Sequence, residues 1–237
     1  MNDIHFLTYA DETFASAKNR IMQQANDFGV FKTITGYGPE DLTEQFRERY
    51  HDILSERRGG GYWLWRPYIL KKKLDEIDDG DVLVFLDAGC TINIKGKSRF
   101  FEYVSLFDKS HLGLISFKYT SEFYLQRNWT VKEIFEYFNI DENSAIATST
   151  QYSGGVIILK KNEHSKQFVS DFNKVVEEAP YLFTDKYNSG QAEYFKENRH
   201  DQSVSTMLRY LGGTIDVDIN ELNDKETSPF LITRLKK

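Results

Sequence analysis

An aspartate directly follows the most apolar segment of the chain. Residues 82–86 read VLVFL, and Asp87, Ala88 and Gly89 come next. A carboxylate at the end of a buried strand can bind a divalent cation or a sugar hydroxyl, and a glycine lets a ligand approach the backbone closely. Aspartate and glycine are also ordinary turn residues after a strand, so this pattern alone supports a binding site and a simple turn equally.

A second cluster combines arginines with glycines. Arg57 and Arg58 stand before three consecutive glycines, and Arg66 follows within the segment GYWLWRP. Backbone N–H groups and guanidinium groups in such a loop can bind a diphosphate. The segment has neither the GxxxxGK[ST] nor the GxGxxG pattern, so it is not an ATP or NAD loop of either kind. A flexible loop with tryptophans packed in the core is the other interpretation.

Two further groups stand at predicted element boundaries. His200 and Asp201 stand at the start of a helical pattern, where they offer a metal ligand, an acid/base group or a simple helix cap. Ser153, Gly154 and Gly155 precede an apolar run, where adjacent glycines permit close approach of a ligand or form a β-bulge.

Trp129 and Lys132 form the last candidate group. An aromatic face beside a cation can contact an acceptor sugar. A tryptophan at this place can equally cover the start of a helix.

The elements that must position these groups alternate between strand and helix. Apolar runs predict strands, and residues spaced every third or fourth position predict helices. The predicted strands cover residues 4–10, 30–35, 82–86, 112–117 and 154–159, and the predicted helices cover 11–25, 41–54, 67–80, 130–138, 165–176 and 200–211. This order is typical of an α/β domain with a largely parallel sheet, in which ligands bind beyond the carboxyl ends of the strands.

The remaining segments are expected to be less regular. Residues 179–199 predict a long loop, and residues 219–237 predict a weakly ordered tail. No repeat or Gly/Ser linker divides the chain, so we expect one domain over residues 1–237.

Composition narrows the function classes. The chain has 237 residues, a formal charge of −6, one cysteine and 15% aromatic residues. The acidic balance argues against nucleic acid as a partner, and a single cysteine excludes a disulfide scaffold. No apolar run reaches the ~20 residues of a transmembrane helix, and the opening MNDIHFLTYADE lacks the layout of a signal peptide. We therefore expect a cytoplasmic protein, with peripheral membrane contact left open.

Together these segments resemble the GT-A-fold glycosyltransferases. The resemblance is to the small bacterial and large-DNA-virus enzymes typified by a chlorella-virus capsid glycosyltransferase domain, and it covers about residues 4–217. It implies a single α/β domain of GT-A (Rossmann-like) fold, with a mostly parallel central sheet flanked by helices. The segments that carry it are TYA at 8–10, GYWLWRP at 61–67, GDVLVFLDAGC at 80–90, SGGVI at 153–157 and RHDQS at 199–203.

The resemblance implies sugar transfer from a nucleotide-sugar donor, UDP- or GDP-linked, to a hydroxyl of a glycan or glycoconjugate, as in polysaccharide biosynthesis. Asp201 is the candidate catalytic carboxylate. From the clusters and the resemblance together, the expected donor-binding residues are Thr8, Tyr9, Ala10, Arg58, Arg66, Asp87, Ala88 and Gly89. The expected sugar- and acceptor-binding residues are Trp129, Lys132, Ser153, Gly154, Gly155 and Gln202.

The metal-binding motif of that family departs here from its usual form. Asp87 matches the first carboxylate of DxD, but the second is replaced by Gly89. A Mn²⁺ or Mg²⁺ ion would then be held by Asp87, the donor phosphates, water and His200. Without a metal, Arg58, Arg66 or Lys132 would offset the charge of the leaving diphosphate.

Two alternative functions remain at this stage. A sugar nucleotidyltransferase would carry a Gly-rich loop with Lys or Arg straight after the first strand, where this chain has TYADE. A non-catalytic carbohydrate-binding protein would use the aromatic residues to stack on sugars and would have no affinity for nucleotides.

Overall fold

A sheet of six strands forms the centre of the protein in a computed structural model that describes residues 2–236. The eight strands are β1 Ile4–Tyr9, β2 Thr33–Tyr37, β3 Val82–Leu86, β4 Thr91–Ile92, β5 Leu114–Lys118, β6 Val156–Lys160, β7 Ile215–Asp218 and β8 Phe230–Leu231. The central sheet has the order β2-β1-β3-β6-β5-β7, and β4 pairs with β8 in a separate two-stranded sheet.

Helices cover both faces of the central sheet. Their bounds are α1 Ala15–Phe28, α2 Glu44–Arg49, α3 His51–Leu54, α4 Gly59–Tyr62, α5 Trp65–Glu76, α6 Lys97–Leu106, α7 Lys132–Tyr137, α8 Glu163–Glu178 and α9 Asp201–Gly212. α1 ends at Gly29, whose positive φ of 67° suits a glycine at that position. Asn162 caps the start of α8, and its side chain accepts a hydrogen bond from the backbone N–H of Ser165.

The direction of β6 decides where the loops of the sheet meet. β1, β2 and β3 run parallel, and β5 runs parallel to β7, whereas β6 is antiparallel to both β3 and β5. The residues before β6 therefore lie at the same edge as the residues that follow β1, β3 and β5. The prediction of an α/β fold with a mostly parallel central sheet is confirmed.

Alternating side chains of the central strands fill two cores. Phe85 and Ile157 belong to the core on one face of the sheet, and Val84 and Ile158 belong to the core on the other. Burial on both faces explains why β3 and β6 are continuously apolar in sequence.

The structure differs from the predicted elements in a few places. The predicted helix over 41–54 is divided at Tyr50 into α2 and α3, and α5 begins at Trp65, two residues before the expected position at Pro67. α6 and β7 lie where no element is predicted. Residues 179–199 do form a long loop, which contains one 3₁₀ turn at Pro180–Phe183.

The carboxy-terminal segment is more structured than its composition predicts. A 3₁₀ helix covers Ile219–Asn223, and β8 pairs with β4 through Leu231 opposite Thr91 and Phe230 opposite Ile92. Phe230 is fully buried and anchors this segment on the core. Apolar residues near the end of the chain thus outweigh the polar stretch that precedes them.

No helix within residues 2–236 is both long enough and apolar enough to cross a membrane.

Candidate functional site

A cleft of about 490 Å³ opens at the edge of the sheet where β1, β3 and β5 end. Its walls come from the loops after these strands, the loop before β6, the α4 segment, the start of α9 and the carboxy-terminal residues. Clefts of this volume at the carboxyl ends of parallel strands commonly bind small ligands.

The α4 segment enters the cleft as a left-handed turn. Five consecutive residues have positive φ, from Gly59 to Trp63. A Cβ atom on Gly61 would lie 2.6 Å from the Cα of Leu54, so only glycine fits there. The turn is fixed to α5 because the indole N–H of Trp65 donates to the carbonyl of Gly59 at 3.0 Å.

Tyr9 lies against the same helix start. Its ring stacks on that of Trp65, with 3.8 Å between centroids. Tyr9 and Trp65 are both almost completely buried, so in this structure they pack mainly on each other while their edges line the cleft.

Arg66 joins two carboxylates at the base of the cleft. Its side chain is 2% exposed, its Nη2 donates to Oδ1 of Asp87 at 2.6 Å, and its Nη1 donates to Oδ2 of Asp201. Burial acts to lower the pKa of Arg66, but the charges of Asp201 and Asp87 raise it above its usual value. Arg66 therefore stays charged and ties the end of β3 to the start of α9.

The glycines before β6 make room for this bridge. A Cβ atom on Gly155 would lie 2.7 Å from Oδ2 of Asp87, and one on Gly154 would lie 3.4 Å from Nη1 of Arg66. The backbone N–H of Gly154 donates to Oε1 of Gln202 at 3.1 Å. The close approach that the paired glycines permit is thus to side chains of the cleft itself.

Asp201 is a buried carboxylate at the amino end of α9. Burial raises the pKa of Asp201 to about 6, while the charges of Arg66 and Arg209 act to lower it. Arg209 lies on the same helix, and burial lowers its pKa to about 10. At pH 7 Asp201 is mostly ionised, and its pKa lies close enough to neutrality for proton transfer.

His200 adopts a strained backbone conformation beside the α4 turn, with φ of 54° and ψ of −122°. Its ring stacks on Tyr62 at 5.0 Å between centroids, and its Nε2–H donates to Oδ1 of Asp185 at 2.8 Å. Burial lowers the pKa of His200, so the ring is neutral at pH 7. The same Asp185 carboxylate accepts from Arg58, which links the long loop to the cleft wall.

The two expected metal ligands each contact another charged side chain. Asp87 and His200 both line the cleft, but Asp87 accepts from the Arg66 cation and the Nε2–H of His200 is directed to Asp185. Within residues 2–236, His, Cys, Asp and Glu side chains nowhere gather in a group of three or more suited to a metal ion. A cation held by Asp87 and His200 would share these side chains with Arg66 and Asp185 and would take its other ligands from the donor phosphates and water.

The cleft brings together most of the residues expected to form the site. Three expected residues lie outside it: Thr8, Trp129 and Lys132. The expected residues that line it are Tyr9, Ala10, Arg58, Arg66, Asp87, Ala88, Gly89, Ser153, Gly154, Gly155, His200, Asp201 and Gln202.

Each outlying residue has a local structural role. Thr8 is fully buried within β1 and donates to the carbonyl of Leu86 at 2.8 Å. Trp129 is 6% exposed, and the guanidinium of Arg199 covers its ring at 4.0 Å. Lys132 begins α7 and pairs along that helix with Glu136.

Sequence reasoning missed several residues of the cleft wall. Tyr119 follows β5, so the position of that strand would have indicated it. Ile232, Arg234 and Lys236 reach the cleft only because β8 pairs with β4, and a basic composition near the end of the chain was their one signal.

The net charge of the residues that line the cleft is opposite in sign to that of the whole chain. Six arginine or lysine residues and three aspartates line it, whereas the protein carries a formal charge of −6. The three aspartates are Asp11, Asp87 and Asp201, and the six cations are Arg57, Arg58, Arg66, Arg199, Arg234 and Lys236. The excess of positive charge favours an anionic ligand.

The protein is similar to known proteins in its structure but not detectably in its sequence. No protein-family model and no curated protein matches the sequence. A glycosyltransferase involved in glycosylation of the major capsid of PBCV-1 is similar over 97% of this chain and 93% of its own, with a TM-score of 0.53 and 14% identity.

Two other solved structures are less similar. Mouse xyloside xylosyltransferase 1 matches over 91% of this chain and 84% of its own, with a TM-score of 0.49 and 9% identity. Galactosyltransferase LgtC matches over 90% and 73%, with a TM-score of 0.45 and 14% identity. At 14% identity the first likeness concerns the fold, and the chain has the α/β GT-A fold that is also found in the PBCV-1 capsid glycosyltransferase.

Proposed function

We propose that the protein is a glycosyltransferase that moves a sugar from a nucleoside-diphosphate sugar to a hydroxyl group of a glycan or glycoconjugate. The observation that carries this proposal is the bridge of Asp87, Arg66 and Asp201 at the base of a cationic cleft, at the ligand-binding edge of the sheet. The GT-A fold supports it, because the structure with a TM-score of 0.53 is that of a glycosyltransferase.

The cleft offers separate chemistry for the two halves of the donor. Its arginines can contact the diphosphate, whose negative charge grows when the bond to the anomeric carbon breaks. Arg66 is fixed by two carboxylates and holds both of them in place at the cleft. We propose that the cations of the cleft do the work that a DxD-bound metal does in GT-A glycosyltransferases.

Asp201 is the proposed catalytic carboxylate. In an inverting reaction the acceptor oxygen attacks the anomeric carbon, the bond from that carbon to the diphosphate oxygen breaks, and Asp201 takes the hydroxyl proton. Its pKa of about 6 suits this role at neutral pH. In a retaining reaction no strong base is required, and Asp201 orients the donor sugar.

Nucleotide binding is the first test of the proposal. UDP, GDP and dTDP are compared in two separate conditions, one with EDTA and one with Mn²⁺. We expect UDP or GDP to raise the melting temperature of the protein. A panel of nucleotide sugars should then reveal slow donor hydrolysis. A protein that none of the three nucleotides stabilises in either condition is not a transferase of this class.

The second test addresses Asp201 directly. Asp201→Asn should lower the rate of sugar transfer at least about a hundredfold, since a base contributes on the order of 10²–10⁴. Asp75→Asn, an exposed carboxylate on α5 that pairs with Lys71, is the matched control and should keep full activity. Nucleotide affinity and melting temperature are measured for both variants. Near-full transfer by a folded Asp201→Asn variant removes Asp201 from catalysis.

The same assays separate the alternative functions. A sugar nucleotidyltransferase would join a sugar phosphate to a nucleoside triphosphate and release pyrophosphate from the triphosphate. The melting temperature of a carbohydrate-binding protein would rise with sugars and would not change with nucleotides.

A further inference from the structure

The carboxy-terminal segment 232–236 lies against the loop that follows Asp87. The backbone N–H of Leu235 donates to the carbonyl of Gly89 at 2.9 Å, and the hydroxyl of Thr233 donates to the same carbonyl at 2.8 Å. The hydroxyl of Thr233 also lies 2.8 Å from that of Thr91. Pairing of β8 with β4 and burial of Phe230 hold the chain in place just before this segment.

Gly89 leaves room for this close contact. A Cβ atom at Gly89 would lie 3.3 Å from the Cα of Arg234 and 3.3 Å from the carbonyl oxygen of Leu235. The sequence pattern predicts that Gly89 allows a ligand to approach the backbone, but in the structure the chain's own carboxy-terminal segment comes close there.

Residues of the segment alternate in what they contact. Thr233 and Leu235 bind Gly89, whereas Ile232, Arg234 and Lys236 line the cleft. The segment thus forms one wall of the cleft and adds two cations to it.

Those two cations differ from most others in the cleft because they have no carboxylate partner. Arg58 pairs with Asp185 and Glu197, Arg66 pairs with Asp87 and Asp201, and Arg199 pairs with Glu197. In the part of the chain that the structure describes, the cleft cations without an acidic partner are Arg57, Arg234 and Lys236. Most of the uncompensated positive charge therefore comes from the carboxy-terminal segment.

We propose that segment 232–236 is part of the donor site and that Arg234 and Lys236 bind the diphosphate of the nucleotide. This inference rests on the proposed function, because it assigns the anion that the cleft takes up. It adds a chain segment beyond residues 4–217, which carry the sequence resemblance.

The experiment compares nucleotide and nucleoside binding by calorimetry on the full chain. Arg234→Ala/Lys236→Ala should weaken binding of UDP about tenfold or more, because charge-assisted contacts to phosphate are lost, and should leave uridine binding unchanged. GDP with guanosine, or dTDP with thymidine, replaces this pair if that nucleotide is the one that stabilises the wild type.

Two further variants serve as controls. Lys109→Ala/Lys225→Ala removes the same charge from exposed positions outside the cleft and should leave UDP affinity within about twofold. Arg234→Lys/Lys236→Arg keeps the charge and should retain most of the affinity.

Each other outcome has a distinct meaning. Equal UDP affinity in the Arg234→Ala/Lys236→Ala variant and the wild type overturns the inference while the proposed function stands. Equal losses for UDP and uridine, or a large fall in melting temperature, show that the segment only supports the fold, which also overturns the inference. A wild-type protein that binds no nucleotide instead refutes the proposed function.

Discussion

Arg66 is the residue on which the arrangement of the cleft depends most. It is buried and reaches across 135 positions of sequence to Asp201 and 21 positions to Asp87. Removing a buried cation leaves its carboxylate partners close together without compensation, which costs more than the pair contributes when intact.

Arg66→Met should therefore lower the free energy of unfolding at pH 7 by about 3 kcal/mol. Without Arg66, protonation of Asp201 removes the uncompensated charge, so the loss should be smaller at pH 5 than at pH 7. A carboxyl whose pKa is raised by folding stabilises the native state at low pH and loses that contribution as pH rises through its folded pKa.

Denaturant unfolding at both pH values tests this prediction. Arg58→Met is the control, because Arg58 is 42% exposed and its pairs with Asp185 and Glu197 should contribute about 1 kcal/mol or less. Equal losses for Arg66→Met at pH 5 and pH 7 would contradict the explanation.

The pH dependence of catalysis follows from Asp201. Burial raises the pKa of this carboxyl to about 6, and only its ionised form can accept a proton. For an inverting reaction with Asp201 as the base, we expect kcat/KM to fall tenfold per pH unit below about pH 6 and to level off above it. A rate profile that stays flat down to pH 5 excludes Asp201 as the base.

The position of a single residue in the cleft was predictable where the residue lies directly after the end of a strand. Asp87 leaves β3 at its carboxyl end, so its place in the cleft follows from the strand alone. Thr8 is still inside β1, one residue before the strand ends, and its side chain points into the sheet rather than into the cleft. A shift of one residue along a strand reverses the face, which is why sequence pattern cannot separate Thr8 from Tyr9 securely.

At the scale of elements, the left-handed α4 turn is the most unusual feature. Its positive φ values at Tyr62 and Trp63 are rare for non-glycine residues and place these side chains around the ring of His200. The sequence GGGYW indicates a turn, but it does not reveal the hand of the turn, which depends on packing against α3.

Gly61→Ala should destabilise the protein by at least about 2 kcal/mol, because φ is 92° there and the new methyl group would meet Leu54. Gly212→Ala is the matched control at the end of α9, where no atom lies within 4 Å of the added Cβ, and it should change stability by less than about 1 kcal/mol. Chemical denaturation measures both. A Gly61→Ala variant as stable as Gly212→Ala would mean that the turn is not constrained in this way.

The orientation of β6 shows where prediction of elements reaches its limit. The apolar run of this strand was recognisable, but its antiparallel direction is set by pairing with β3 and β5, which lie far away in sequence. That direction brings Gly154 and Gly155 to the cleft.

At the scale of the whole molecule, the cleft and the remaining surface have opposite charge. The formal charge of the chain is −6, yet cations outnumber acids in the cleft. A cationic cleft in a protein of net negative charge can attract a small anion while the protein repels long polyanions.

Binding of UDP should therefore weaken severalfold when NaCl is raised from about 50 mM to about 500 mM, because the Debye length shortens from more than 10 Å to less than 5 Å. Binding of uridine should change little over this range, which makes the nucleoside the control in the same calorimeter. Identical salt dependence for both ligands would show that the phosphates do not contact the cations of the cleft.

The path of the carboxy-terminal segment could not be predicted from sequence. Local composition favours weak order after residue 218, whereas the contact of Leu235 with Gly89 joins residues 146 positions apart. Such contacts depend on the whole fold.

The short pairing of β8 with β4 also affects how readily the segment after it opens. It joins only two residues from each strand, so local opening of the segment after it requires far less free energy than unfolding of the central sheet. We expect the amides of residues 232–236 to exchange with deuterium faster than those of β3, and bound UDP to slow that exchange. Because Arg234 and Lys236 are proposed to bind the diphosphate, opening of this segment and release of the nucleotide should then be coupled.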